Sequence, residues 1–253
     1  LNPGNIGSAD KVKSVVAAAA ERKIPIRVGV NSGSVSKEIA AKYGRYSAEG
    51  LVLEAMRHIQ ILEDCNFEDI VISLKASNVA TMIESYRLMA SKCSYPLHLG
   101  VTEAGTSYSG TIKSAVGIGT LLAEGIGDTI RVSLTDQPEE EIRAGIEILK
   151  SLGLKKSGAT LVSCPTCSRC SVNLIQIAKE VEERLANMPF PIKVAVMGCV
   201  VNGPGEAQDA DIGITGANGE GLIFKKGKII KKVPEDRIVD ELFVEIEKLF
   251  KER

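Results

Sequence analysis

The sequence predicts an α/β fold in which a run of parallel β/α units is followed by a smaller α+β domain. Short runs rich in β-branched residues alternate with amphipathic helical stretches through residues 1–155, at the spacing typical of β/α units with parallel strands. After about residue 156 the alternation gives way to a cysteine cluster and a glycine-rich loop. We therefore predict two domains, 1–155 and 156–253, with the boundary in the stretch KKSG at 155–158.

Each element of the first domain has its own local signal. Runs rich in valine, isoleucine and leucine predict parallel strands over 24–30, 69–75, 96–102 and 128–134. Amphipathic periodicity predicts helices over 50–64 and 77–90, with Ser77 as the N-cap of the second. A further helix begins near residue 136, where an N-cap, an early proline and acidic residues follow one another.

The second domain has a mixed pattern. Strands are predicted over 160–163, 192–197 and 211–215, and a hairpin turns near Lys226 and Gly227. Helices are predicted over 172–187 and from residue 235 onward.

Composition excludes several classes of protein. Hydrophobic residues make up 44% and charged residues 25% of the chain, which is ordinary for a globular protein. The 31 basic and 32 acidic residues give a net charge of −1, which argues against nucleic-acid binding. No apolar run approaches the roughly 18 residues of a membrane span, and no signal peptide begins the chain. We expect a cytoplasmic protein that does not bind a membrane.

Polar side chains are predicted to converge at the carboxyl ends of the strands, where parallel α/β folds place their active sites. Side chains two residues apart share one face of a strand. This parity and the strand exits select Arg27, Asn31, Lys75, Glu103, Arg131 and Ser133. Three cations favour an anionic substrate such as a diphosphate, with Glu103 as the acid/base candidate. The alternative is that each group forms a local salt bridge or caps the next helix.

The cysteines indicate a metal site. Cys164, Cys167 and Cys170 lie within seven residues, and Cys199 follows in a glycine-rich loop. In a cytosolic chain this clustering favours zinc or an iron–sulfur cluster over disulfides. A structural zinc site made of all four cysteines stays open, and Glu206 is the available substitute if one thiol is not a ligand. The remaining cysteines and both histidines are predicted to be structural: Cys65, Cys93, His58 and His98.

Long motifs follow one another from end to end of the chain: LNPGNIG at 1–7, IPIRVGVNSGS at 24–34, KYG at 42–44, SLKAS at 73–77, YPLHLGVTEAG at 95–105, EGIGDTIRVSL at 124–134, CPTCSR at 164–169 and GCVVNGPGEA at 198–207. In these motifs the chain resembles the bacterial 4-hydroxy-3-methylbut-2-enyl diphosphate synthases of the non-mevalonate isoprenoid pathway. The order and length of the motifs make a chance resemblance implausible.

The resemblance implies a fold and a reaction. The fold would be the C-terminal part of a TIM-type (β/α)8 barrel followed by an iron–sulfur domain. The reaction would be the reductive ring opening and dehydroxylation of 2-C-methyl-D-erythritol 2,4-cyclodiphosphate. Reduced flavodoxin or ferredoxin would supply the electrons. A homodimer is implied, in which the cluster domain of one subunit closes over the barrel of the other.

The resemblance also implies site residues. A [4Fe–4S] cluster would be held by Cys164, Cys167, Cys199 and Glu206, with Cys170 as a bystander. Substrate contacts would come from Arg27, Asn31, Lys75, Arg131, Ser133 and Asn202, and Glu103 would be the acid/base carboxylate.

The first motif carries a further expectation. LNPGNIG resembles the exit of the fourth strand of the family's barrel, so we expect the first three β/α units to be absent, with the arginine that the family places just before this motif. A partial barrel exposes an unpaired strand edge. We therefore expect the 253-residue polypeptide to be unstable or oligomeric and poorly active alone.

Two alternatives from other classes remain. A zinc-bearing module that binds phosphorylated ligands without chemistry would be colourless and would give Glu206 no role. A radical enzyme that uses S-adenosylmethionine would place its cysteines near the first barrel strand, in a different spacing.

Overall fold

A computed structural model of the chain describes residues 6, 9–156, 158–186, 188, 190–200, 207–217 and 219–251. The chain divides into two compact units, Leu1–Lys155 and Lys156–Arg253. None of the described helices is long and apolar enough to cross a membrane.

The first unit alternates strands and helices. Its elements are α1 (Ala9–Glu21), β1 (Ile26–Asn31), α2 (Lys37–Tyr43), α3 (Ala48–Glu63), β2 (Ile70–Lys75), α4 (Val79–Ala90), β3 (His98–Leu99), α5 (Ser107–Ala123), β4 (Thr129–Ile130) and α6 (Pro138–Ser151).

The strands of this unit lie side by side and parallel. β1 pairs with β2 from Ile26 opposite Ile70 to Asn31 opposite Lys75, and β3 pairs with β4. A parallel bridge between Ile72 and Leu97 joins β2 to the segment that leads into β3. The strand order is therefore β1-β2-β3-β4. The predicted α/β class is confirmed, and the described residues form these parallel pairs without a closed barrel.

A tyrosine interrupts the ladder between β2 and β3. Ile72 N donates to Pro96 O at 2.8 Å, so a regular parallel ladder would place Leu74 N against His98 O two residues on. Instead Leu74 N donates to the Tyr86 hydroxyl at 2.9 Å, and that hydroxyl donates to His98 O at 2.5 Å. Tyr86 comes from α4 and is 1% exposed. Its insertion explains why β3 is two residues long rather than the predicted 96–102.

The segment after β4 also leaves the ladder early, so the predicted strand over 128–134 is too long. Leu134 N donates to Glu141 Oε1 at 2.8 Å, and Thr135 N donates to Gly105 O at 2.9 Å. These amides are satisfied outside the sheet. Ser133 therefore lies in a loop, whereas the parity argument placed it on a strand.

The helices begin close to where the sequence predicts, with one corrected cap. Asn78, rather than Ser77, is the N-cap of α4, because its Oδ1 accepts from Thr81 N at 2.9 Å. Ser47 caps α3 by accepting from Gly50 N. Proline at residue 138 begins α6, and three glutamates lie in the first turn. Their negative charges interact favourably with the positive end of the helix dipole.

The second unit is built on one continuous sheet. Its elements are β5 (Ala159–Ser163), α7 (Leu174–Ala186), β6 (Ile192–Met197), β7 (Ile212–Ala217), β8 (Glu220–Lys225), β9 (Lys228–Pro234) and α8 (Ile238–Lys251). Within the described residues the strand order is β5-β6-β7-β8-β9. The first three strands run parallel to one another. β8 is antiparallel to β7, and β9 is antiparallel to β8.

The hairpin predicted in this unit is confirmed. Lys226 and Gly227 have φ of +47° and +74°, which is the left-handed pair of a two-residue turn. α7 and α8 bury Val181, Leu242 and Ile246 against the sheet. Burial of each such side chain stabilises the fold by about 1.5–3 kcal/mol.

Candidate functional site

The loops that follow β2, β3 and β4 are tied together at the carboxyl ends of the strands. Thr102 N donates to Ala76 O at 3.1 Å, and Thr135 N donates to Gly105 O at 2.9 Å. Lys113 Nζ donates to Ala104 O at 3.0 Å. These bonds hold the loop that carries Glu103 between its two neighbours.

Four of the strand positions form one layer at this end. Asn31 and Lys75 are opposite each other in the register of β1 and β2. The register of the bridge between Ile72 and Leu97, continued past the inserted Tyr86 hydroxyl, places Gly100 level with Lys75. The register of β3 and β4, continued by one residue, places Arg131 opposite Gly100. Residues opposite each other in a parallel pair share a face. The structure therefore brings the positions of Asn31, Lys75 and Arg131 together, as strand parity predicts.

Arg131 lies over the backbone of Gly100. A Cβ added at Gly100 would be 2.7 Å from Arg131 O, 3.3 Å from its Nε and 3.4 Å from its Nη2. A side chain at this position would therefore clash with the Arg131 carbonyl and crowd the guanidinium. The Arg131 side chain is half-buried, and its Nε is buried without a hydrogen-bond partner in the described part of the chain.

The positive charges of Arg27 and Arg131 lower the pKa of the same two groups, His98 and Tyr86. Burial, together with the charges of Arg27 and Arg131, lowers the pKa of His98 to about 4. Burial raises the pKa of Tyr86 to about 12, against hydrogen bonds to Leu74 and Ser73 and the charges of both arginines. Both cations therefore face one region around a neutral imidazole. Arg27 lies on β1 between buried apolar residues, as the sequence predicts, and its own side chain is exposed.

Asn31 has a local structural role as well as its place in the layer. Its Oδ1 accepts from Ser34 N at 2.8 Å, while its own N donates to Ser34 Oγ at 3.0 Å. The pair caps the short 3-10 turn Ser32–Ser34. The carbonyl of the carboxamide is thus engaged, which leaves Nδ2 as the group that can donate to an anion.

Lys75 borders a cavity of about 250 Å³ at the ends of β1 and β2. Hydroxyl and amide groups from several loops share its wall. The lining residues are Ser32, Tyr46, Leu51, Lys75, Ala76, Ser77, Asn78 and Thr81. A flexible ammonium group at such a polar rim suits an anionic ligand.

Glu103 adopts an unusual backbone conformation. Its φ is +53°, in the left-handed region that residues other than glycine seldom adopt, and its side chain is exposed. Backbone strain of this kind concentrates at functional sites. Ser133 is half-buried in the loop after β4.

A buried carboxylate holds the loop after β1. Glu54 on α3 is 3% exposed. Its Oε2 accepts from Ser36 N at 2.8 Å, and its Oε1 lies 3.1 Å from His58 Nε2. Burial lowers the pKa of His58, and the ring is 2% exposed; its structural role stays a prediction.

The second unit carries its cysteines at strand ends. Ser163 and Val196 are opposite each other where β5 and β6 end, so Cys164 and Cys199 follow at the same edge of the sheet. Cys164 N donates to Val196 O at 3.3 Å, and Cys164 Sγ accepts from Gly198 N at 3.2 Å. Cys199 is buried.

The other two clustered thiols differ from each other. Cys167 is exposed, and hydrogen bonds from the backbone and side chain of Arg169 lower its pKa. Cys170 is half-buried, and its thiol donates to Val172 O at 3.3 Å. A Cβ added at Gly198 would lie 2.8 Å from Cys170 Sγ. Cys170 is thus engaged in packing at this edge, whereas Cys167 faces solvent.

The structure does not assemble the predicted ligand set. Within the described ranges no three histidine, cysteine, aspartate or glutamate side chains are grouped closely enough to hold a metal ion. Glu206 and Asn202 lie outside the described residues. The donor chemistry nevertheless fits a soft metal cluster, because Cys164 and Cys199 share an edge and Gly198 N already donates to a sulfur.

Sequence reasoning missed Tyr86 and Gly100, and it treated His98 as structural. A glycine inside a predicted strand is a signal for close approach of another group, and this signal could have identified Gly100 as the seat of Arg131. The hydroxyl of Tyr86 had no such signal, because its helix periodicity marks it only as a core residue.

Family models match both units. The GcpE TIM-barrel domain matches residues 1–146, and the GcpE protein C-terminal domain matches residues 160–248. The chain belongs to the GcpE family.

Relatives in this family are similar over nearly the whole chain. A protein of Clostridium perfringens is 65% identical over 98% of this chain and 71% of its own length. One from Geobacter sulfurreducens is 58% identical over 100% of this chain and 72% of its own length. Each is a 4-hydroxy-3-methylbut-2-en-1-yl diphosphate synthase (flavodoxin). The resemblance drawn from the sequence motifs is confirmed.

Proposed function

We propose that the chain is an iron–sulfur oxidoreductase that forms 4-hydroxy-3-methylbut-2-enyl diphosphate from 2-C-methyl-D-erythritol 2,4-cyclodiphosphate. The reaction takes up two electrons and two protons, opens the ring and releases one water. The observation that carries the proposal is the identity of 65% with a relative of that name over 98% of this chain. Its place is the non-mevalonate pathway of isoprenoid biosynthesis.

In this proposal the first unit is part of a TIM-type barrel that binds the diphosphate. Lys75 and Arg131 lie in one layer at the strand ends, and Arg131 is held over Gly100. A guanidinium binds a phosphate group with paired hydrogen bonds, whereas an ammonium acts as a point charge. Arg27, Asn31 Nδ2 and the Ser133 hydroxyl would complete the contacts within this unit. Asn202, a further contact that the family resemblance implies, lies outside the described residues.

Glu103 would manage the protons of the reaction. The loop that carries it is fixed by its neighbours at Ala76 and Thr135, and its backbone is left-handed. A carboxylic acid in reach of the leaving oxygen can donate the proton with which that oxygen departs as water. The cations hold the diphosphate while its ring opens.

The second unit would hold a [4Fe–4S] cluster through Cys164, Cys167 and Cys199, with Glu206 as the fourth ligand. The cluster, when bound, supplies electrons one at a time to the substrate. Gly198 N donates to Cys164 Sγ at 3.2 Å, and hydrogen bonds to ligand sulfurs help to set the reduction potential of such clusters. Cys170, already bonded to Val172 O, would not be a ligand.

The electron donor would be reduced flavodoxin, which the names of the relatives specify, or ferredoxin. We place the protein in the cytoplasm, since three clustered thiols intended for a metal need a reducing compartment. The homodimer that the family resemblance implies stays a prediction, which a mass measurement in solution can test.

The first experiment is a metal analysis of anaerobically prepared protein. We expect about four irons and four acid-labile sulfides per chain, the content of one cubane cluster. Reduced flavodoxin and the cyclic diphosphate would then be added, and the linear diphosphate would be followed by phosphorus NMR. Stoichiometric zinc without sulfide would overturn the proposal in favour of a zinc-bearing phospholigand-binding module.

A further inference from the structure

His98 lies in the centre of the sheet, one layer below Lys75 and Arg131. The register places it between Ser73 on β2 and Thr129 on β4, and Gly29 is opposite Ser73. Ser73 and Thr129 have small side chains, and Gly29 has none. Two residues further along the strands, on the same face, the next layer holds Lys75 and Arg131.

The two ring nitrogens of His98 have different surroundings. Nδ1 lies 2.8 Å from Thr129 Oγ1, so one side of the ring is held by the neighbouring strand. Nε2 is buried and has no hydrogen-bond partner in the described part of the chain. Because an unpaired polar atom in a buried place is costly, Nε2 is a position where a ligand atom would be stabilising.

The charges around the ring indicate which ligand. Burial, and then the charges of Arg27 on β1 and of Arg131 just after β4, lower the pKa of His98 and keep the imidazole neutral. From α4 the neighbouring group is the Tyr86 hydroxyl, bonded to the His98 carbonyl, and β2 contributes the uncharged Ser73. No acidic side chain acts on the ring in this part of the chain. An anion would therefore satisfy Nε2 at a place where the positive charges of Arg27 and Arg131 also favour it.

We propose that His98 is a further substrate-contacting residue: its Nε2–H donates to the bound diphosphate, and the ring takes up a proton from solvent when that anion binds. The inference rests on the proposed diphosphate site and deepens it. Thr129 Oγ1 accepts from Nδ1–H in the charged ring, so both nitrogens are then satisfied. His98 would thus adjust the positive charge of the site to the charge of its ligand.

The test uses inorganic pyrophosphate and NMR of the two imidazoles. The chain has only two histidines, so the spectrum of ring-labelled protein is assigned with His58→Gln and His98→Gln. Without pyrophosphate the His98 ring should titrate near pH 4. With saturating pyrophosphate its pKa should rise by about one to three units, while the His58 signals stay unchanged as an internal control.

Affinity provides the second readout. His98→Ala should weaken pyrophosphate binding about tenfold near pH 5.5, while His58→Gln keeps wild-type affinity. His98→Gln, which retains an N–H donor without a titrating ring, should recover part of the affinity and lose its pH dependence. Circular dichroism and the His58 signals would verify that each variant is folded.

Two results would overturn the inference, and they are distinguishable. If the wild-type chain binds pyrophosphate and Arg131→Ala weakens binding, but the pKa of His98 does not move, then the diphosphate site stands and the His98 contact fails. If the wild-type chain does not bind pyrophosphate at all, both the His98 contact and the proposed diphosphate site fail.

Discussion

The two units place their reactive groups at the same kind of location but position them differently. In the second unit, continuous pairing of β5 with β6 brings Cys164 and Cys199 to one edge. In the first unit the ladder between β2 and β3 is interrupted, and the Tyr86 hydroxyl bridges the gap. The main chain therefore sets the site of the second unit, whereas single side chains set that of the first.

The difference also extends to charge. The first unit gathers cations around a neutral imidazole and leaves Arg131 Nε and His98 Nε2 without partners in the described part of the chain. The second unit presents thiols that already accept or donate hydrogen bonds. Unpaired hydrogen-bond donors beside positive charges suit a negatively charged ligand, whereas thiols suit a soft metal. Substitutions at the two sites should therefore have different effects.

The largest effect is expected at the strand end of the second unit. Cys164→Ser should remove most of the iron and sulfide from anaerobically prepared protein, because serine oxygen is a poor ligand for a cluster. Cys170→Ser is the matched control and should keep both, since its thiol donates to Val172 O. Iron and sulfide assays measure this directly. Equal losses in the two variants would place Cys170 among the ligands.

Tyr86→Phe tests whether the first unit depends on one hydroxyl. The change leaves Leu74 N and His98 O unpaired in the core and should lower the free energy of unfolding by about 1–3 kcal/mol. Tyr95→Phe is the control, because the Tyr95 hydroxyl bonds to Glu63 at a half-buried position and its loss should cost less. Urea unfolding would be followed by near-ultraviolet circular dichroism. Equal losses of unfolding free energy in the two variants would show that the Tyr86 hydroxyl bridge stabilises the fold no more than the Tyr95 hydrogen bond does.

Gly100→Ala tests the seat of Arg131. The added methyl group would meet the backbone and guanidinium of Arg131, so pyrophosphate affinity should fall about tenfold. If the effect acts through the guanidinium, it should largely vanish when Arg131→Ala is already present. Additive losses in this double-mutant cycle would instead indicate a general distortion of β3.

A difference in acid sensitivity is also expected. The pKa of His98 in the folded chain, about 4, lies below the roughly 6.5 of an unfolded chain. The unfolded state therefore binds more protons between these values, so stability is full above about pH 6.5 and falls as pH drops toward 4. His98→Asn should show a smaller loss of stability between pH 7 and 5 than the wild type. An unchanged slope in urea midpoints would contradict a neutral His98.

Local signals predicted the elements that local bonds control. Hydrophobic runs identified β1 and β2 within two residues of their observed ends, and the hairpin at Lys226 and Gly227 followed from its turn residues. Strand parity also gave the layer that joins Asn31, Lys75 and Arg131. Each of these depends on alternation or on turn chemistry, which a sequence displays directly.

Side chains that bond to distant backbone groups were beyond such reasoning. The bond from Tyr86 to His98 O shortens β3, yet helix periodicity marks Tyr86 only as an apolar position. The predicted N-cap of α4, Ser77, differs by one residue from the observed N-cap, Asn78, because serine and asparagine are equally good N-caps. The prediction that Cys170 is not a ligand rests on the family resemblance, since spacing alone treats it like Cys164 and Cys167.

The left-handed backbone at Glu103 has a consequence for how this protein can be stabilised. Holding a residue other than glycine at φ +53° costs about 1 kcal/mol or more. Glycine would adopt this conformation without that cost, so Glu103→Gly would be tolerated by the fold while it removes the carboxylate. Selection for thermal stability alone would therefore favour loss of this side chain. A screen that scores only folding would drift toward a robust protein without the carboxylate that we propose as its acid.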